Sequence, residues 1–166
     1  MSQFFLSADI CINIDPQETL FSVANVSIIN SMTPEDAFEQ LAYTSQEYVR
    51  VTIFAQTDPF FIDTEGTIEF CRLCADQEKK IIPVLPVDYG AVMRAQQLHV
   101  AAAEIELTHP LFEKGITRPA IIKKIFQDLS IPILAGGVFS TEEQEQLYQW
   151  GCDAVVHYQN NRATVV

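Results

Sequence analysis

Between Ala101 and His109 the chain reads AAAEIELTH, in which Glu104, Glu106 and Thr108 alternate with Ile105 and Leu107. In a strand whose apolar side is covered by helices, that alternation turns both carboxylates toward the opposite face. A carboxylate kept from water is costly unless paired or hydrogen-bonded, and burial raises its pKa, so Glu106 is a candidate general base or hydroxyl acceptor. An edge strand with its glutamates in solvent is the plainer alternative. Asp58 is a second candidate base and His109 a candidate acid. His109 and His157 could also hold a metal with Asp58 or Asp88, although a single histidine in a loop more commonly has an ordinary hydrogen bond.

The second chemical feature is Ile131 to Tyr158, IPILAGGVFSTEEQEQLYQWGCDAVVHY. It reads as a short apolar strand, a glycine pair, a helix opened by a Ser140 to Glu143 capping box, a Gly151 stop and a further strand. Glycines between a strand and a helix N-terminus let backbone N–H groups approach an anion, where the helix dipole also favours negative charge. Gly136, Gly137 and Val138 are thus candidate phosphate contacts, with Asp88, Glu106 and His157 beside them; glycines that merely make the turn are the alternative. No P-loop, dinucleotide fingerprint, nucleophile elbow or HExxH motif is present. Neither a cofactor nor a bound metal is expected.

These residues need a scaffold. The 166 residues, 48% of them hydrophobic, suit one domain spanning 1–166. A net charge of -12 argues against unaided binding to nucleic acid or an anionic membrane. No apolar run of about 18 residues occurs and the N-terminus lacks the basic start of a secretory signal, so the expectation is a cytoplasmic protein with no membrane span. Cys71 and Cys74 form a CxxC inside a helical stretch, without a second pair or nearby histidine, and read as two helix-face residues.

Strand-like runs recur at 4–14, 26–30, 48–55, 81–87, 101–107, 131–138 and 153–158, with another short one at 163–166. Helical segments with start signals lie between them: Asp15-Pro16-Gln17-Glu18, Thr33-Pro34-Glu35-Asp36, Thr64 to Lys80, Ala91 to His99, and the stretch from Thr117 through Leu129. This alternation predicts an α/β fold, a compact or incomplete TIM-barrel-like parallel sheet with surrounding helices, with an open doubly wound flavodoxin-like sheet as the alternative. In either fold the working face lies at the carboxyl ends of the strands, which gather Asn30, Ser31, Gln56, Thr57, Asp58, Asp88, Tyr89, Thr108, His109 and His157. A shortened barrel leaves apolar edges to cover, and a homodimer is the expected remedy.

The pieces EIELTHP, PAIIKKI, PILAGGVFSTEEQ and GCDAVV, preceded by PEDAFEQL, YVRVTIF and KKIIPVLPVDYG, follow one another in an order similar to that of the glycerol-uptake operon antiterminator family of small phosphate-binding (β/α) barrels. The resemblance covers about two thirds of the chain, and on it Glu106, Asp88, Gly136 and Gly137 fall on matching positions. Met1 to Asn25 adds a βα unit without a counterpart. What the resemblance implies is a ligand-responsive regulatory domain that binds a small phosphorylated metabolite such as glycerol 3-phosphate. Two other functions stay open: a TIM-barrel lyase or isomerase acting on a phosphorylated substrate through Glu106 or Asp58, and a receiver-like protein-interaction domain with no small-molecule site.

Overall fold

The computed structural model describes residues 2–7, 10–14, 26–58, 61–108 and 115–158. In chain order the elements are β1 (Ser2–Ser7), β2 (Ile10–Ile14), β3 (Val26–Ser31), α1 (Pro34–Leu41), β4 (Tyr48–Ile53), α2 (Thr64–Leu73), β5 (Lys80–Pro86), α3 (Tyr89–Gln96), β6 (Ala103–Glu106), α4 (Pro119–Asp128), β7 (Ile133–Gly137), α5 (Thr141–Trp150) and β8 (Ala154–Tyr158). They form one eight-stranded sheet in the order β1-β2-β8-β7-β6-β5-β4-β3. From β4 to β8 each strand pairs in parallel with the one before it.

That unbroken succession separates the two expected architectures. A doubly wound sheet reverses its strand order at a switch point and carries helices on both faces. Here the order never reverses, and the outward residues of successive strands share clusters with the helices. Val49, Val51 and Ile53 of β4 pack with Ala37, Leu41, Phe70 and Cys71, while Ile105 of β6 and Ala135 of β7 pack with Val92, Ile122, Ile125 and Leu147. The opposite face turns inward: Ile82, Val84, Leu134, Ala154 and Val156 are buried outside both helical clusters. The sheet curls until Cα atoms of its two edge strands, β1 and β3, come within 8 Å. The chain is therefore an incomplete TIM-barrel-like α/β fold, not the open flavodoxin-like alternative.

Local signals place most helix starts. Thr33 caps α1 by accepting from the Asp36 N–H, with Pro34 in the first turn, and Asp63 caps α2 through the Gly66 N–H. Ser140 and Glu143 form the full capping box of α5, and Gly151 ends that helix at φ 110°. Other boundaries are set by partners distant in sequence. The helix expected to run to Lys80 stops at Leu73, because the chain must be extended by Lys80 to pair with Tyr48 of β4. Lys79 adds to that junction by donating to the carbonyls of Thr44 and Gln46 at 3.0 and 2.7 Å.

The N-terminal region departs from the expected βα unit. The run 4–14 is not one strand: Ser2–Ser7 and Ile10–Ile14 pair antiparallel, and β2 then pairs antiparallel with β8. Only two residues separate the strands, and a connection that short cannot make the crossover a parallel pair requires. The expected helix at Asp15 to Glu18 and the strand at 163–166 lie outside the described residues.

Cys71 lies in α2 and Cys74 caps its C-terminus, both buried in the helical core. Burial pushes both thiols up to about 12, so near neutral pH they pack as protonated, apolar groups. Among the described residues no helix is long and apolar enough to cross a membrane.

Candidate functional site

The inward face of the sheet carries an unusual charge. Arg50 on β4 and Glu104 on β6 meet through two hydrogen bonds, Nε to Oε1 at 2.6 Å and Nη2 to Oε2 at 2.7 Å. Their side chains are 2% and 1% exposed. The planar guanidinium matches both carboxylate oxygens at once, and this geometry makes such a pair tolerable away from water. The inward orientation read from AEIE is thus correct for Glu104, and one ion pair spans β4 and β6 inside the curled sheet.

One step nearer the carboxyl ends lies Glu106, half-buried on the same face of β6 and in register with Pro86 and Gly136. On β4 the equivalent step above Arg50 is Thr52, fully buried and in register with Asn30 of β3. These groups occupy the mouth of the curled sheet at the carboxyl ends of its strands, where (β/α) barrels build their sites. Neither Arg50 nor Thr52 stood out in the sequence. The readable signal was an arginine and a threonine alternating inside the apolar run YVRVTIF, the pattern that marked Glu104 and Glu106.

The other candidates are placed as follows. Asp88 is the N-cap of α3, its Oδ1 accepting from the Ala91 N–H at 3.0 Å. Asp58 sits in the excursion between Phe54 and Ile62, which bridge antiparallel, and its carbonyl accepts from the Phe61 N–H. His157 pairs in register with Gly137 at the end of β8. His109 lies outside the described residues.

The glycine pair divides in role. Gly136 continues the β7 ladder between Glu106 and Val156. Gly137 has φ 154°, and a Cβ there would lie 2.4 Å from Thr108 Oγ1 and 2.7 Å from Phe139 Cζ. Thr108, 1% exposed, also accepts the Val138 N–H at 3.0 Å. The second glycine is thus required by packing, and the Val138 N–H is already bound inside the protein. The N-terminus of α5 likewise holds an internal anion. Glu143 accepts from the Ser140 N–H at 3.0 Å and the Ile116 N–H at 2.9 Å, tying the start of this helix to the segment before α4.

Those backbone donors, that of Ser140 first, hold the Glu143 carboxyl below its ordinary 4.5. A lowered pKa contributes stability above the unfolded value, and that contribution fades as pH falls through the folded one. Glu143→Gln keeps one acceptor oxygen but turns an NH2 toward the other backbone donor, and is therefore expected to cost about 1 kcal/mol at pH 7, the net size of one hydrogen bond. Urea unfolding of both proteins should show the gap narrowing below pH 4.5 as the wild-type carboxyl takes up its proton. A gap independent of pH would show that the charge itself contributes nothing.

No protein-family model matches the chain, and no curated protein matches it in sequence. Among solved structures, a chain of the Amycolatopsis orientalis BexX/CysO complex superposes with a TM-score of 0.69 at 18% identity, covering 80% of this chain and 57% of that one. The enzyme 2,3-dimethylmalate lyase, of the PEP mutase/isocitrate lyase superfamily, superposes with a TM-score of 0.52 at 12% identity, over 84% of this chain and 54% of its own. The chain thus spans a little over half the length of either structure. At these identities the likeness is one of fold, and it agrees with the incomplete barrel described above.

Proposed function

We propose that this chain is a ligand-responsive regulatory domain that binds a small hydroxylated, phosphorylated metabolite at the carboxyl-terminal mouth of its barrel, in the way the antiterminator resemblance implies. The observation that carries the reading is Glu106: a half-buried carboxylate on the inward face of β6, directly above the buried Arg50–Glu104 pair. A carboxylate so placed accepts hydrogen bonds from ligand hydroxyls. Binding is favoured over turnover because Asp88 and Glu143, two other acidic groups near the strand ends, are engaged at helix N-termini. The commitment of the Val138 and Ser140 N–H groups leaves the phosphate contact of the glycine pair resting on the resemblance. The same reading places the protein in the cytoplasm as a homodimer that covers its sheet edges, with no direct contact to nucleic acid.

Thermal unfolding with glycerol and glycerol 3-phosphate tests this. At ten times Kd either probe should raise Tm by roughly 3–6 °C, and Glu106→Gln should remove most of the rise. If neither probe moves Tm at millimolar concentration, the reading is wrong. The same half-buried Glu106 also favours a second reading, a lyase or isomerase in which it is the general base. Turnover of a triose phosphate that disappears in Glu106→Gln would establish that reading in place of the first.

A further inference from the structure

Thr52 Oγ1 is fully buried, yet has no hydrogen-bond partner among the described residues. A buried hydroxyl left without a partner is costly, and native folds keep few of them unless something else uses the group. Its position says what could. Val49, Val51 and Ile53 face the helices, so Thr52 shares the inward face of β4 with Arg50. Glu106 shares the inward face of β6 with Glu104. Thr52 and Glu106 therefore form a second diagonal rung, two residues further along the same two strands and separated by β5: in the first, Arg50 is level with Ile82 of β5 and Glu104 with Val84.

In the lower rung the long arginine side chain crosses two strand spacings, roughly 9–10 Å, to reach its carboxylate. The upper rung has a threonine in place of the arginine, and its short side chain does not reach Glu106. We infer that Thr52 is a specificity-determining residue: with Glu106 it reads one alcohol hydroxyl of a neutral polyol portion of the ligand, which accepts the Thr52 proton and donates its own to Glu106. This inference rests on the binding site proposed above and deepens it.

Chemistry narrows the class of group that fits. A carboxylate or phosphate oxygen brings no proton and repels Glu106. An ammonium donates to Glu106 but cannot accept from Thr52, leaving the hydroxyl's proton unmet. Of these ligand groups, only an alcohol both accepts from Thr52 and donates to Glu106.

The test is calorimetric titration of the full chain with glycerol and with glycerol 3-phosphate, for wild type, Thr52→Val and Thr52→Ser, alongside the Tm of each protein without ligand. Valine keeps the shape and removes the hydroxyl. Thr52→Val should weaken both probes at least tenfold, Thr52→Ser should bind within about threefold of wild type, and unliganded Thr52→Val should melt at or above the wild-type temperature, since it loses an unpaired polar group. Equal affinities for wild type and Thr52→Val would overturn the role of Thr52 while leaving the binding site in place. A markedly lower Tm of the unliganded variant would show that the hydroxyl is satisfied inside the protein, and would also overturn it. Wild type that binds neither probe would remove the proposed function together with this inference.

Discussion

Arg50→Met should destabilise the protein by about 3–5 kcal/mol, a large share of the roughly 5–15 kcal/mol ordinary for a domain. Arg50 and Glu104 are 2% and 0% exposed, so removing the guanidinium takes both of its charge-assisted hydrogen bonds from a buried carboxylate whose register neighbours are Val84 and Leu134. Water cannot take over the two hydrogen bonds that Arg50 makes. Glu104→Leu should cost a similar amount by taking the same two hydrogen bonds from the buried cation. The double variant Arg50→Met, Glu104→Leu has a different outcome: with both charges gone there is nothing to desolvate, and its stability should return to within about 1 kcal/mol of wild type or exceed it. Urea midpoints of the four proteins close the cycle. If either single change costs less than about 1 kcal/mol, the pair is not dry and the interior is open to solvent at that level.

Gly137→Ala should cost about 3 kcal/mol, from two sources that act together. At φ 154° an L side chain is strained, and the added methyl would lie 2.4 Å from Thr108 Oγ1 and 2.7 Å from Phe139 Cζ. Thr108→Ala alone should also destabilise, because it orphans the Val138 N–H. In the Gly137→Ala background the same change removes the nearest clash. The two costs should therefore fall short of additivity by about 1 kcal/mol in a denaturant cycle. Strict additivity would mean that the methyl is accommodated by movement of Phe139 and not by Thr108. One practical consequence concerns ligand binding. Any loss of binding in a Gly137 variant would be confounded with damage to the fold, so Glu106 and Thr52 are the cleaner positions at which to probe the mouth.

The legible part of this protein is local. The capping box at Ser140 and Glu143, the Thr33-Pro34 start of α1 and the Gly151 stop are contacts between residues at most four apart, and the structure forms each of them. The alternation in AAAEIELTH placed Glu104 and Ile105 on opposite faces before any neighbouring strand was known. What went astray involved partners far away in the chain. The run 4–14 reads as one strand, whereas pairing with β8 makes its second half an antiparallel neighbour of that strand. The helical pattern after Thr64 runs seven residues past the helix itself, because the demand of β4 for a partner at Lys80 leaves no mark within the pattern.

The site shows the same division. A glycine pair before a capped helix carries the same letters whether it cradles an anion or makes room for a threonine and a phenylalanine. Only the close approach of Thr108 and Phe139 shows that packing demands Gly137. The period of each element, the caps that start its helices and the residues of a strand that share a face all follow from backbone geometry over a few residues, and so are written in the local sequence. The tertiary structure alone decided the strand order and the curl, and through them that Arg50, 54 positions before Glu104, would become its partner and leave Thr52 without one among the described residues. The physical reason is that a parallel sheet brings together residues separated by whole helices, and one strand says nothing of what its neighbour will offer.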